Sequence, residues 1–135
     1  EINNGIDDMT ADGQTSISDG IARARQLFAD AGRVNATKIM LLLSDGEQTI
    51  DAAPGKSPME TAVSAAKLVK GDDITVFAWG FGDKMSSDSP LKDIATESSK
   101  ARFAKDLAAL TSHLAVLQAA VCNASPPSLP FPLAP

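Results

Sequence analysis

The run Ile39-Met40-Leu41-Leu42-Leu43, cut off by Ser44-Asp45-Gly46, constrains this chain more than any other feature. A half-buried strand alternates apolar and polar residues, whereas a continuous apolar run suits a parallel strand covered by helices on both faces. A second run, Ile74 to Trp79, has the same character and leads into a loop Gly80-Phe81-Gly82-Asp83. Both runs are far shorter than the roughly 20 residues a helix needs to span a bilayer, so no membrane insertion is expected within this segment.

Helical signals separate these strands. Ile17, Ile21, Ala24, Phe28 and Ala31 recur at helical spacing before Gly32, which predicts a helix over 16–31. Ser57-Pro58-Met59-Glu60 joins a capping serine, a proline at the first helical position and a glutamate three residues past the cap, so a helix runs from there to Gly71. Ser89-Pro90 repeats the device and opens a short helix through about Ser98. Arg102 to Lys105 reads as a brief third strand. Leu107, Leu110, Leu114, Leu117 and Val121 form a last helix with Asp106 as its cap. Ile2, Ile6 and Met9 suggest one more short helix near the N-terminus. Alternating strands and helices imply an α/β fold, a mostly parallel sheet flanked by helices and joined by right-handed crossovers. The 135 residues, 44% of them apolar, suffice for one core. Beyond Cys122, five prolines fall within residues 123–135 and mark a Pro-rich linker or tail.

Several activities are disfavoured. The net charge of −5 is spread along the chain, with no cluster of Lys and Arg for nucleic acid. Gly80-Phe81-Gly82 lacks the third glycine of a dinucleotide fingerprint, and neither a phosphate-binding Gly-x-x-x-x-Gly-Lys nor a Gly-x-Ser-x-Gly elbow occurs. The single histidine, His113, lies among the leucines of the last helix and is expected to be structural or solvent-facing. No enzyme is expected.

In parallel sheets, ligands bind beyond the C-terminal ends of the strands. Asp45 stands there, directly after the first apolar run, where its carboxylate suits a hard cation such as Mg²⁺; the alternative is a turn role beside Gly46. Thr15, in the loop Asp12-Gly13-Gln14-Thr15-Ser16, offers a hydroxyl to a metal or caps the following helix. Asp83 lies on the same edge and is read as a turn residue.

Taken together, these segments resemble the von Willebrand factor type A family. Gly13 to Ile21 is similar to its second motif, a glycine loop presenting a threonine. Ile39 to Glu47 is similar to its third, a buried strand delivering an aspartate followed by Gly-Glu. Ile74 through Asp83 to Ala95 resembles its next strand, turn and helix. The resemblance implies a Rossmann-like three-layer fold, with residues 1–122 as the C-terminal two thirds of the domain. It also implies a metal-ion-dependent adhesion site, or MIDAS, binding Mg²⁺, Mn²⁺ or Ca²⁺. Thr15 would be the hydroxyl ligand, Asp45 the carboxylate, direct or through water, and an Asp or Glu of a partner protein would fill the open position. The family's first motif, Asp-x-Ser-x-Ser after its first strand, is absent from this sequence and is expected upstream of Glu1. Without that first strand, the edge of the Ile39–Leu43 strand stays unpaired, and such an edge invites association.

Extracellular members of the family often carry a cysteine where Cys122 closes the last helix. Asn123-Ala124-Ser125 is a glycosylation acceptor, followed by Pro126. An extracellular or cell-surface module is therefore expected. The family resemblance leaves two alternatives open: a cytoplasmic subunit of an ATP-driven metal-insertion or remodelling complex, and a structural domain with a degenerate metal site.

Overall fold

A computed structural model describes residues 10, 12–33, 35–82 and 90–122. Helix α1 spans Ile17–Ala31, strand β1 Lys38–Ser44, helix α2 Pro58–Gly71, strand β2 Ile74–Phe81 and the short helix α3 Leu91–Ile94. A 3₁₀ turn at Ser98–Lys100, strand β3 at Ala101–Ala104 and helix α4 at Leu107–Cys122 complete the order. The expected N-terminal helix, the Ser89 cap, Asp83 and the proline-rich tail lie outside the described residues.

The sheet has the order β1-β2-β3 and is parallel throughout. In register, Met40 stands opposite Val76 and Leu42 opposite Ala78, while Leu41 and Leu43 stand opposite Phe77 and Trp79. Because side chains alternate across a strand, these two sets face opposite layers. The first set joins Ile17 and Ile21 of α1, Ala62, Ala66 and Val69 of α2, and Ile94 of α3 in the main core. On the other face, Trp79, Ala104 and Leu110 form a smaller core, with Phe77, Phe81 and Leu117 packed against it.

Local chemistry sets the helix ends. At the start of α2, Ser57 Oγ accepts from the Glu60 N–H at 3.2 Å and Glu60 Oε2 accepts from the Ser57 N–H at 2.7 Å. This reciprocal box and Pro58 place the boundary where the sequence predicts it. Asp106 caps α4 as expected, its Oδ1 accepting from the Ala109 N–H at 2.8 Å. Helix α1 stops at Gly32 through close approach, since a Cβ there would lie 2.1 Å from the Phe28 carbonyl oxygen.

Two expectations need correction. Strand β2 runs on through Gly80 and Phe81, because β3 pairs with both (Gly80 with Phe103, Phe81 with Ala104). The short helix ends at Ile94 instead of about Ser98. The Thr96 N–H donates to the Val76 carbonyl at 3.0 Å, and Thr96 Oγ1 accepts from the Val76 N–H at 2.8 Å, drawing the chain against β2. Strand β1, in turn, is covered only in part by the described residues. Among the described residues Leu41 is 38% and Leu43 51% exposed, and an open groove of about 520 Å³ follows the outer edge of β1 past Leu27, Phe28, Ile39 and Leu41. The apolar run thus reads correctly as a core strand but carries more apolar surface than its described neighbours bury.

Candidate metal centre

The site begins with two loops that meet beyond the C-terminal end of β1. The first is residues 12–16, where Gly13 adopts a left-handed φ of +86° and its N–H donates to Asp12 Oδ1 at 2.7 Å. A side chain at Gly13 would be strained in that conformation. This turn delivers Thr15 immediately before α1. The second loop starts at Asp45 and runs to Asp51, which itself holds a left-handed φ of 60°, a conformation Asp tolerates better than most residues.

The two loops are sewn together by hydrogen bonds. The Thr15 N–H donates to Thr49 Oγ1 at 3.0 Å, and the Thr15 carbonyl accepts from the N–H groups of Thr49 and Ile50 at 2.9 and 3.4 Å. One turn further, Gln48 Oε1 accepts from the Ser18 N–H at 2.7 Å while its Nε2 donates to Ser18 Oγ at 2.9 Å. Both Gln48 and Ser18 are buried. The backbones bearing Thr15 and Asp45 are thereby held together, although no hydrogen bond links their side chains.

Each candidate ligand had a plainer reading, and neighbouring residues occupy it. Ser16 is the N-cap of α1, its Oγ accepting from the Asp19 N–H at 3.3 Å. The turn after β1 is closed by Ser44, whose Oγ donates to the Gly46 carbonyl at 2.8 Å and accepts from the Gly46 N–H at 3.3 Å. Among the described residues the Thr15 hydroxyl and the Asp45 carboxylate make no hydrogen bond. Thr15 is half-buried and Asp45 exposed. Two hard oxygen donors left free at a sheet edge fit a cation that prefers carboxylate, hydroxyl and water. They do not complete a coordination shell. Among the described residues there is no group of three His, Cys, Asp or Glu that could hold a metal ion.

His113 belongs to the second core. Its ring lies 5.9 Å from that of Trp79 in an edge-to-face arrangement, and its Nδ1 is buried without a partner among the described residues. It is structural rather than solvent-facing. Among the described residues no helix is long and apolar enough to cross a membrane.

Sequence reasoning missed Gln48 and Thr49. In Asp-Gly-Glu-Gln-Thr they look like solvated loop residues, and only the pairing with a segment about thirty residues upstream reveals their role.

Residues 1–116 match the family model for the von Willebrand factor type A domain. No curated protein matches the chain in sequence. Among solved structures, it is similar to proximal thread matrix protein 1 from the mussel byssus in a form with a zinc-occupied MIDAS motif. The identity is 27% and the TM-score 0.68, over 86% of this chain and 28% of that one. The pilus adhesin SpaC from Lactobacillus rhamnosus GG is 15% identical with a TM-score of 0.70, over 89% and 20% of the two chains. Manganese-loaded TRAP protein of Plasmodium vivax is 14% identical with a TM-score of 0.58, over 86% and 43%. The chain therefore spans less than a third of the mussel protein's length, and at these identities the last two similarities concern the fold alone.

Proposed function

The chain belongs to the von Willebrand factor type A family, and from that premise we propose that it is a metal-ion-dependent protein-binding module of the adhesion type. A divalent cation, Mg²⁺ in our reading, is held beyond the C-terminal end of β1 by Thr15 and Asp45 together with donors outside the described residues. The observation that carries the reading is the division of labour at this edge. Ser16 and Ser44 do the capping, and among the described residues the Thr15 hydroxyl and the Asp45 carboxylate are left without a hydrogen bond. A cation with an unfilled position gains much from one charged oxygen, so a single Asp or Glu of a partner protein would dominate recognition. The zinc-occupied MIDAS of the mussel protein supports metal binding at this type of site.

In this reading the module binds rather than catalyses, and its one histidine is packed against Trp79 in the second core. Its proposed setting is extracellular or at a cell surface, a reading supported by similarity to a protein of the mussel byssus. The test is partner binding by the full-length protein with Mg²⁺, with EDTA, and with Asp45→Ala. Loss in both of the latter is expected. Affinity that survives both would overturn the metal-bridged reading.

A further inference from the structure

We propose that Gln48 is a positioning residue of this metal site, fixing the spacing of the Thr15 and Asp45 backbones before a cation arrives; the proposal rests on the metal-binding reading. Gln48 is 4% exposed, although its neighbours Glu47 and Thr49 are exposed. Burying a primary amide is costly unless its hydrogen-bonding capacity is met. Here the carboxamide oxygen accepts from the Ser18 N–H, and Nε2 donates to Ser18 Oγ and to the Ile50 carbonyl at 2.8 Å. Its own N–H reaches Met59 Sδ at 3.2 Å, at the start of α2.

The side chain thus joins the first turn of α1 to the loop after β1, while the backbone N–H of the same residue reaches α2. The Ser18 N–H is among the donors that a helix N-terminus leaves without an intrahelical partner, and Gln48 satisfies it. Ser18 lies three residues after Thr15, and Gln48 three residues after Asp45. The bonds between them fix the two ligand-bearing backbones at equal remove, and the Thr15–Thr49 pair closes the gap. A site ordered in advance loses less entropy on binding its ion, and outer partners that orient ligands typically change metal affinity by about 10- to 100-fold when removed.

The test measures Mn²⁺ dissociation constants by electron paramagnetic resonance on the full-length protein, with amide hydrogen exchange in EDTA alongside. Gln48→Met keeps the length and removes the amide; Ser18→Ala removes one bond and serves if Gln48→Met does not fold. Both are expected to weaken Mn²⁺ binding, Gln48→Met by about 10-fold or more, and to speed exchange at the Thr15 and Thr49 N–H groups without metal. Ile94→Val, in the main core beneath α3 and outside the two loops of the site, controls for stability and should leave Mn²⁺ affinity unchanged. Mn²⁺ affinity within twofold of wild type in the folded Gln48 or Ser18 variant, with Asp45→Ala abolishing binding, would overturn the positioning role and leave the metal site standing. Unchanged Mn²⁺ binding in Asp45→Ala would remove the metal reading itself, and this proposal with it.

Discussion

Thr15 and Thr49 hold each other by reciprocal hydrogen bonds: the Thr15 N–H donates to Thr49 Oγ1 at 3.0 Å, and the Thr49 N–H donates to the Thr15 carbonyl at 2.9 Å. The pair joins residues 34 apart in sequence and ties together the two loops of the candidate site. Thr49→Val keeps the shape and the backbone bond but removes the acceptor. Stability in urea unfolding should fall by about 1 kcal/mol, the usual worth of one such bond, whereas Thr49→Ser should retain most of it. A valine variant as stable as wild type would mean that the side-chain bond contributes nothing.

Ile94 tests the main core. It is fully buried and belongs to the four-residue helix α3, which has little intrinsic stability and is held by packing. The Lys70 Nζ donates to the carbonyls of Asp93 and Ala95 at 2.7 and 3.1 Å and fastens the same helix from α2. Ile94→Ala should cost about 2–5 kcal/mol, from lost transfer energy and the cavity left behind. Chemical denaturation measures it, and a loss well below that range would show that α3 collapses onto the gap.

The elements legible in sequence were those whose signals are local. The capping box at Ser57 and Glu60, with Pro58, gives α2 its observed start, and the run through Leu43 gives β1 within a residue at each end. What escaped depends on distant partners. Strand β2 gains Gly80 and Phe81 only because β3 lies beside them, and the helix after Pro90 is cut short by a pairing of Thr96 with Val76. Motif order made Thr15 and Asp45 the candidate ligands. Gln48 was not, because a glutamine in a polar loop carries no mark of the buried contact it makes thirty residues away.

The exposed carboxylates predict an acid-limb dependence. The Glu60 carboxyl is held below its ordinary range, first by the Ser57 backbone N–H, and the Asp72 carboxyl is lowered chiefly by its hydrogen bond from Arg25. Glu97 is lowered in the same sense by Lys100. A group whose folded pKa lies below its unfolded value contributes stability above the unfolded value, about pH 4 for carboxylates, and loses it as pH falls through the folded one. Urea midpoints should therefore be level from about pH 7 to 5 and decline below about pH 4. Asp72→Asn should flatten that decline, and added salt should shrink the difference, because the Arg25 pair is solvent-exposed and screened. An acid limb identical in wild type and variant would remove the Arg25–Asp72 pair from the account.

The uncovered side of β1 makes the last prediction. Among the described residues, strand β1 stands at the end of the sheet order, with Leu41 and Leu43 exposed on one face and Leu27 68% exposed beside the groove along its edge. Exposed apolar side chains next to unpaired backbone N–H and carbonyl groups favour strand addition by another chain. Residues 1–135 alone should therefore self-associate in sedimentation velocity, increasingly so with concentration. Leu43→Lys places a charge on that face at a position 51% exposed, so it should move the population toward monomer while leaving the circular dichroism unchanged. If the wild-type polypeptide stays monomeric at every concentration it tolerates, the β1 edge is covered in solution. If the lysine variant associates as strongly as wild type, association proceeds through another surface, and the exposed apolar side chains of α4, Leu107 and Val116, become the next to substitute.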